Sequence, residues 1–270
     1  MEVQLIRNAT VKIKFGGKVW LVDPFFGDES SLPSFAGKSA NPTVSLPFSI
    51  SDILNGVDYV LITHLHPDHF DTKAQETISK SLPLVVQPSD LEKIKKFGFK
   101  MVEAIDQQKT LNNVKVSRVE ALHGEGKILS VMGTVSGYIL EAENEAPLYI
   151  TGDTIWCDSI KSTLDKFNPG IIVCNAGGNV FLPENNPFKE YISLERVHKV
   201  IMDEKQVLEL LTYKKDTIVV AVHIGALDHE TVTRTSMKEY LENQHVNMKR
   251  VFVPEDGECL TFEYRAYERK

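Results

Sequence analysis

Seven consecutive residues constrain this chain more than any other feature: Thr63-His64-Leu65-His66-Pro67-Asp68-His69, three imidazoles and a carboxylate following an apolar run, Tyr59–Thr63. On an extended backbone alternate side chains point the same way, so His64 and His66 can grip one cation together. The chain turns past Pro67, and Asp68 and His69 can then address a second cation beside the first. Imidazole nitrogen and carboxylate oxygen suit divalent zinc, manganese, iron or nickel, with zinc foremost. A lone histidine is usually structural or solvated; three with an aspartate at this spacing form a metal-binding pattern.

The chain around the cluster alternates strand and helix signals. It opens with a meander, Val3–Arg7, Thr10–Phe15 and Val19–Val22, with Gly16-Gly17 as a tight turn and Asp23-Pro24 as its stop. Residues 27–50 are rich in Gly, Ser and Pro, too long for a simple connection, and read as a functional lid. After the cluster, Asp71 reads as the N-cap of a helix over 72–80. Strand Leu84–Gln87, helix 90–97, and strands over 114–119, 133–141 and 147–151 follow. The second half alternates helix 158–166, strand 170–174, helix 204–213, strand 217–222 and helix 234–243, closing with strands near 249–253 and 259–264. That order predicts an α/β (α+β) fold in which two sheets are flanked by helices within one domain.

The cluster resembles the His-x-His-x-Asp-His signature of the metallo-β-lactamase superfamily. That resemblance implies a four-layer αββα sandwich and three further ligands, each just after a strand. His123, Asp153 and His223 stand in the required order at such places. By the resemblance, His64, His66 and His123 hold one metal, Asp68, His69 and His223 hold another, and Asp153 bridges them. Asn8-Ala9-Thr10, Val22-Asp23-Pro24, the 132–137 segment and the 223–229 segment are similar to the branch containing ascorbate-6-phosphate lactonase and N-acyl phosphatidylethanolamine phospholipase D. The implied activity is hydrolysis of an ester, lactone or phosphodiester by a water shared between two metals.

Other residues carry expectations beside blander readings. Asp68 can double as a general acid or base. Asp23 can accept an imidazole N–H from a ligand and fix its tautomer, or simply serve the turn before Pro24. His229 is a candidate for substrate binding or proton transfer. Arg234 can hold an anionic substrate group or be a surface cation at a helix start. Trp156 and Cys157 follow Asp153 closely and can line the pocket, while His198 and His245 read as surface residues.

A net charge of −7 argues against a nucleic-acid partner, and no apolar run approaches the length of a membrane span. Three scattered cysteines and an N-terminus without signal-peptide character point to a reducing cytoplasm. A small-molecule substrate is expected; a homo-oligomer is compatible with the sequence. The competing readings are a metal-binding sensory module on the same fold, a nuclease, which should carry basic surfaces, and a redox di-iron protein, which His66 argues against.

Overall fold

The computed structural model describes residues 1–263. The chain opens with β1 (Glu2–Arg7), β2 (Thr10–Phe15) and β3 (Lys18–Val22), then adds β4 (Tyr59–Leu61), β5 (Leu84–Val86) and β6 (Val102–Ala104). It crosses to a second sheet through β7 (Gln108–Leu111), β8 (Val114–Glu120), β9 (Ser136–Glu141), β10 (Leu148–Ile150) and β11 (Ile171–Asn175). A small ribbon, β12 (Val180–Phe181) with β13 (His198–Lys199), precedes β14 (Ile218–Val222) and β15 (Val251–Phe252); β16 (Cys259–Thr261) returns to the first sheet. Each main sheet has seven strands, ordered β16-β1-β2-β3-β4-β5-β6 and β15-β14-β11-β10-β9-β8-β7. Both are mixed: β3 to β6 run parallel, as do β10, β11, β14 and β15.

Period-two alternation sorts these strands into layers. Val220 and Val222 face the other sheet together with Val11, Ile13, Trp20, Tyr138 and Val173, and this is the central core. Their neighbours Val219 and Ala221 face outward onto α5 (Asp158–Phe167), α6 (Glu204–Tyr213) and α7 (Arg234–Asn243), through Leu164, Leu210 and Met237. On the opposite side Leu21, Val60 and Ile62 meet Ile53, Ala74 and Ile94 of the short helices at Ile50–Leu54, Thr72–Thr77 and Leu91–Lys96. Buried runs of this kind on a parallel sheet need cover on both faces. The result is the expected αββα sandwich. No helix among the described residues is long and apolar enough to cross a membrane.

Local chemistry explains most boundaries. Gly16 and Gly17 both take positive φ, 60° and 69°, which a two-residue hairpin with right-handed strand twist requires. Asp71 caps the helix at Thr72 by accepting from Ala74 N at 3.1 Å. The expected strand over 133–141 begins only at Ser136, because Leu129–Met132 is a helical turn ended by Gly133 at φ 71°. β6 and β7 were not expected: one is three residues long and the other mostly exposed and polar, so neither carries an apolar signal. The last expected strand ends earlier, at Thr261; its residue 264 lies outside the described residues.

Candidate metal centre

The seven candidate ligands named from the sequence all lie just past strand ends, and the sandwich brings them to one place. His64 to His69 follow β4, His123 follows β8, Asp153 follows β10 and His223 follows β14. Ligand atoms of His64, His66 and His123 lie within 4.8 Å of one another, as do those of His64, His69 and Asp153, and those of Asp68, His69 and His223. Asp153 reaches both sides: Oδ2 is 3.4 Å from His123 Nε2 and 3.3 Å from His69 Nε2, while Oδ1 is 3.8 Å from His223 Nε2. Asp68 Oδ2 stands 3.3 Å from His223 Nε2.

Backbone geometry aims these groups. Asn8, Asp23 and His223 all take left-handed φ, at 59°, 45° and 61°, a conformation that costs a non-glycine residue of order 1–3 kcal/mol. The costs are met by mutual ties. His223 N donates to Asn8 O, and Asn8 Nδ2 donates to Asp68 O at 3.0 Å. Asp23 accepts from Thr63 N and Thr63 Oγ1, both at 2.7 Å, and sits 2.9 Å from His69 Nδ1. Gly152 also has positive φ, and a Cβ there would fall 2.8 Å from Ser136 O, so no larger residue fits before Asp153.

The imidazoles show how a metal would fit. In three of them one nitrogen is turned outward to a protein partner: His64 Nδ1 to Thr63 Oγ1, His69 Nδ1 to Asp23 and His123 Nδ1 to Val200 O at 2.7 Å. His223 Nδ1 faces Glu230 Oε1 at 3.5 Å. The Nε2 atoms of His64, His69 and His223 point inward, buried and without a hydrogen-bond partner. Buried polar atoms are rarely left unpaired, and convergent ones beside two carboxylates match the donor set of a divalent cation.

Electrostatics agrees. Burial and neighbouring imidazoles hold His64 well below its ordinary pKa and His66 down to about 4, so both are neutral and able to donate a lone pair. Burial opposes charge on His69 and His223 too. There Asp153 and Asp68 outweigh it, aided by Asp23 at His69 and Glu230 at His223, so both are raised, His223 to about 10. Burial would raise Asp153, yet His69, His223 and His123 pull it well below the usual carboxylate range.

The remaining candidates divide. Asp23 contacts a cluster histidine directly, as the tautomer-fixing reading requires. His229, next in the chain to Glu230, is buried between Phe35 and Phe181; burial draws it down to about 4 against the pull of Asp68. Arg234 is not brought in: Nε donates to Pro254 O and Nη2 to Asp256 at 2.5 Å, tying α7 to the C-terminal segment. The Trp156 ring packs on Tyr213 of α6, with the Lys161 ammonium 5.7 Å above it. His198 is buried, correcting its reading as a surface residue, because the β12–β13 ribbon carries it inward. Glu230 and Asn175, whose amide donates to Asp153 Oδ1 at 2.6 Å, were not assigned these roles from sequence. A cavity of about 510 Å³ adjoins His123 and runs along Arg118–Leu122 and residues 133–135.

A family model described as the β-lactamase superfamily domain matches residues 19–224. The UPF0173 protein YddR of Bacillus subtilis (strain 168) is 33% identical over 97% of this chain and 100% of its own. Among solved structures, a possible metal-dependent hydrolase from Veillonella parvula DSM 2008 superposes with TM-score 0.88 at 30% identity, covering 97% of this chain and 99% of its own. An isothiocyanate hydrolase from Delia radicum gut bacteria has TM-score 0.85 and 27% identity, covering 97% of this chain and 100% of its own.

Proposed function

The chain belongs to the β-lactamase superfamily, and on that premise we propose that it is a metal-dependent hydrolase of a small molecule with an electrophilic carbon. The observation that carries the reading is the convergence of unpaired, buried Nε2 atoms on Asp68 and Asp153. We assign His64, His66 and His123 to one metal, Asp68, His69 and His223 to the other, and Asp153 to both. Two divalent ions there, zinc foremost, would lower the pKa of a water shared between them and polarise the substrate's electrophile.

The chain's own residues do the positioning. Asp23, Thr63 and Val200 hold ligand imidazoles by the nitrogen that faces away from the centre, which fixes ring orientation, and the Glu230 carboxylate faces that nitrogen of His223 at 3.5 Å. Asn175 holds Asp153 so that its second oxygen faces the histidines. Asp68, at the rim of this group, is the candidate to take and return a proton.

We place ester and lactone carbonyls and the isothiocyanate carbon ahead of a phosphodiester as substrate. The support is twofold: Arg234, the candidate anion holder, is committed to Asp256, and a relative similar over nearly the whole chain is an isothiocyanate hydrolase. The test is elemental analysis of purified protein together with turnover of esters, lactones, isothiocyanates and phosphodiesters. About two metals per chain and hydrolysis of a carbon electrophile are expected. Stoichiometric metal without turnover of any of the four classes would favour a sensory module. Asp153→Ala should lose hydrolysis by more than 100-fold while remaining folded.

A further inference from the structure

Residues 34–41 of the long loop are wound around one carboxylate. Asp228 accepts from Phe35 N at 2.9 Å, Ala36 N at 3.1 Å, Lys38 N at 3.2 Å, Asn41 Nδ2 at 3.0 Å and also from Ser34 Oγ. Its own N–H donates to Asn41 Oδ1 at 2.8 Å. The loop is thereby fastened to the residue preceding His229.

The fastening sets an aromatic edge against that histidine. The Phe35 ring meets the His229 imidazole edge to face at 5.1 Å, and Phe181 stacks on it at 5.2 Å with 24° between planes. Asn179 Nδ2 lies 3.0 Å from His229 Nε2. With the amide so oriented, which leaves Asn179 Oδ1 buried and unpartnered, the ring proton sits on Nδ1, and Nδ1 is likewise buried without any partner. A buried donor left unmade costs about 1–3 kcal/mol, so such an atom in a native site calls for a partner absent from the chain itself. The ring stands on the segment that leaves the centre, since the next residue, Glu230, faces Nδ1 of the ligand candidate His223 at 3.5 Å. Phe35 keeps a partly exposed face, whereas Phe181 is buried; Phe35 is therefore the ring that can yield to an incoming group.

We propose that His229 is the substrate-holding residue of this site, its Nδ1–H donating to an acceptor atom of a neutral substrate whose flat, aryl or unsaturated group lodges beside Phe35 and Phe181. The aromatic rings select planarity by stacking and edge contacts, and the single N–H orients the group toward the metals. The inference rests on the hydrolase reading for the fate of the ligand, but binding itself needs no turnover.

The two ring nitrogens can be tested separately. In His229→Gln the side-chain amide reaches the place of Nε2, so the Asn179 contact survives and Nδ1 is lost. In His229→Asn the amide stands where Nδ1 stood. The probes are benzamide and cyclohexanecarboxamide, the same amide on a flat and a puckered ring, titrated calorimetrically into metal-loaded protein. Expected are tighter binding of benzamide than of its saturated counterpart, a loss of about tenfold in His229→Gln at unchanged metal content, and retention in His229→Asn. Equal binding of benzamide by wild type and His229→Gln, or equal binding of the two probes, would overturn the proposal. Hydrolysis of a carbon electrophile that is indifferent to His229→Gln would overturn it too, leaving the hydrolase reading standing. Absence of hydrolysis with the binding pattern intact would remove the hydrolase reading alone.

Discussion

Single residues at the centre are held in conformations they would not choose alone. Asp23, Asn8 and His223 are left-handed, and each bonds another member of the group. Replacing Asp23 with Ala frees His69 Nδ1 and Thr63 N at once. Metal affinity should fall on the order of 10–100-fold, read by competition with a chromophoric chelator. An unchanged affinity would show that the Asp23 carboxylate serves only the turn. Protonation gives a second prediction. In the metal-free protein His69 and His223 carry raised pKa values, so each contributes stability at neutral pH that fades as pH rises toward its folded value, about 10 for His223. Metal loading near pH 7 must displace those protons. Calorimetry in buffers of different ionisation enthalpy should show net release of about two protons per chain. No buffer dependence would contradict the raised values.

Among the elements, the 27–50 segment reads from its composition as a functional lid. Asp228 gathers its backbone N–H groups and holds residues 34–41 in place. Those donors hold the carboxylate well below its ordinary range, even though its burial works in the opposite direction. A depressed carboxylate stabilises the loop above the unfolded pKa, near 4, and releases it only as pH falls through the folded value. Asp228→Asn presents an NH2 to N–H donors and should cost about 1–3 kcal/mol in thermal unfolding. Faster amide exchange at Phe35, Ala36 and Lys38 should accompany it; undiminished protection there would mean the loop is held by Phe35 packing instead.

The whole molecule assembles the site from both sheets, since four candidate ligands follow β4 and three follow strands of the partner sheet. Metal should therefore act as a clamp across the sandwich. At 100 times its dissociation constant it adds ~2.7 kcal/mol, and a chain of this length gains ~2–4 °C per kcal/mol. Chelation should accordingly lower the unfolding temperature by about 5–10 °C. Identical melting with and without chelator would mean that the ligands do not join the two sheets through an ion.

What the sequence determined by itself was local or periodic. The Thr63–His69 spacing, the apolar alternation of β1 and β2, the apolar runs of β3 and β14, the Gly16-Gly17 turn and the Asp71 cap are each written in neighbouring residues. Two sheets flanked by helices followed from the alternation of strand and helix signals, and the four-layer order came through the resemblance. His123, Asp153 and His223 were legible only as polar residues after strands, and their grouping came through the resemblance. Tertiary structure alone decided the rest. Glu230 against His223, Asn175 against Asp153 and the loop around Asp228 are contacts between residues distant in sequence or hidden by a turn, and no periodicity encodes them. Arg234 was drawn to Asp256, and Phe35 with Phe181 to His229, by the packing of loops, α7 and the β12–β13 ribbon. A spacing can state which atoms are suited to a metal; only packing in three dimensions decides which partners orient them and what stands beside them.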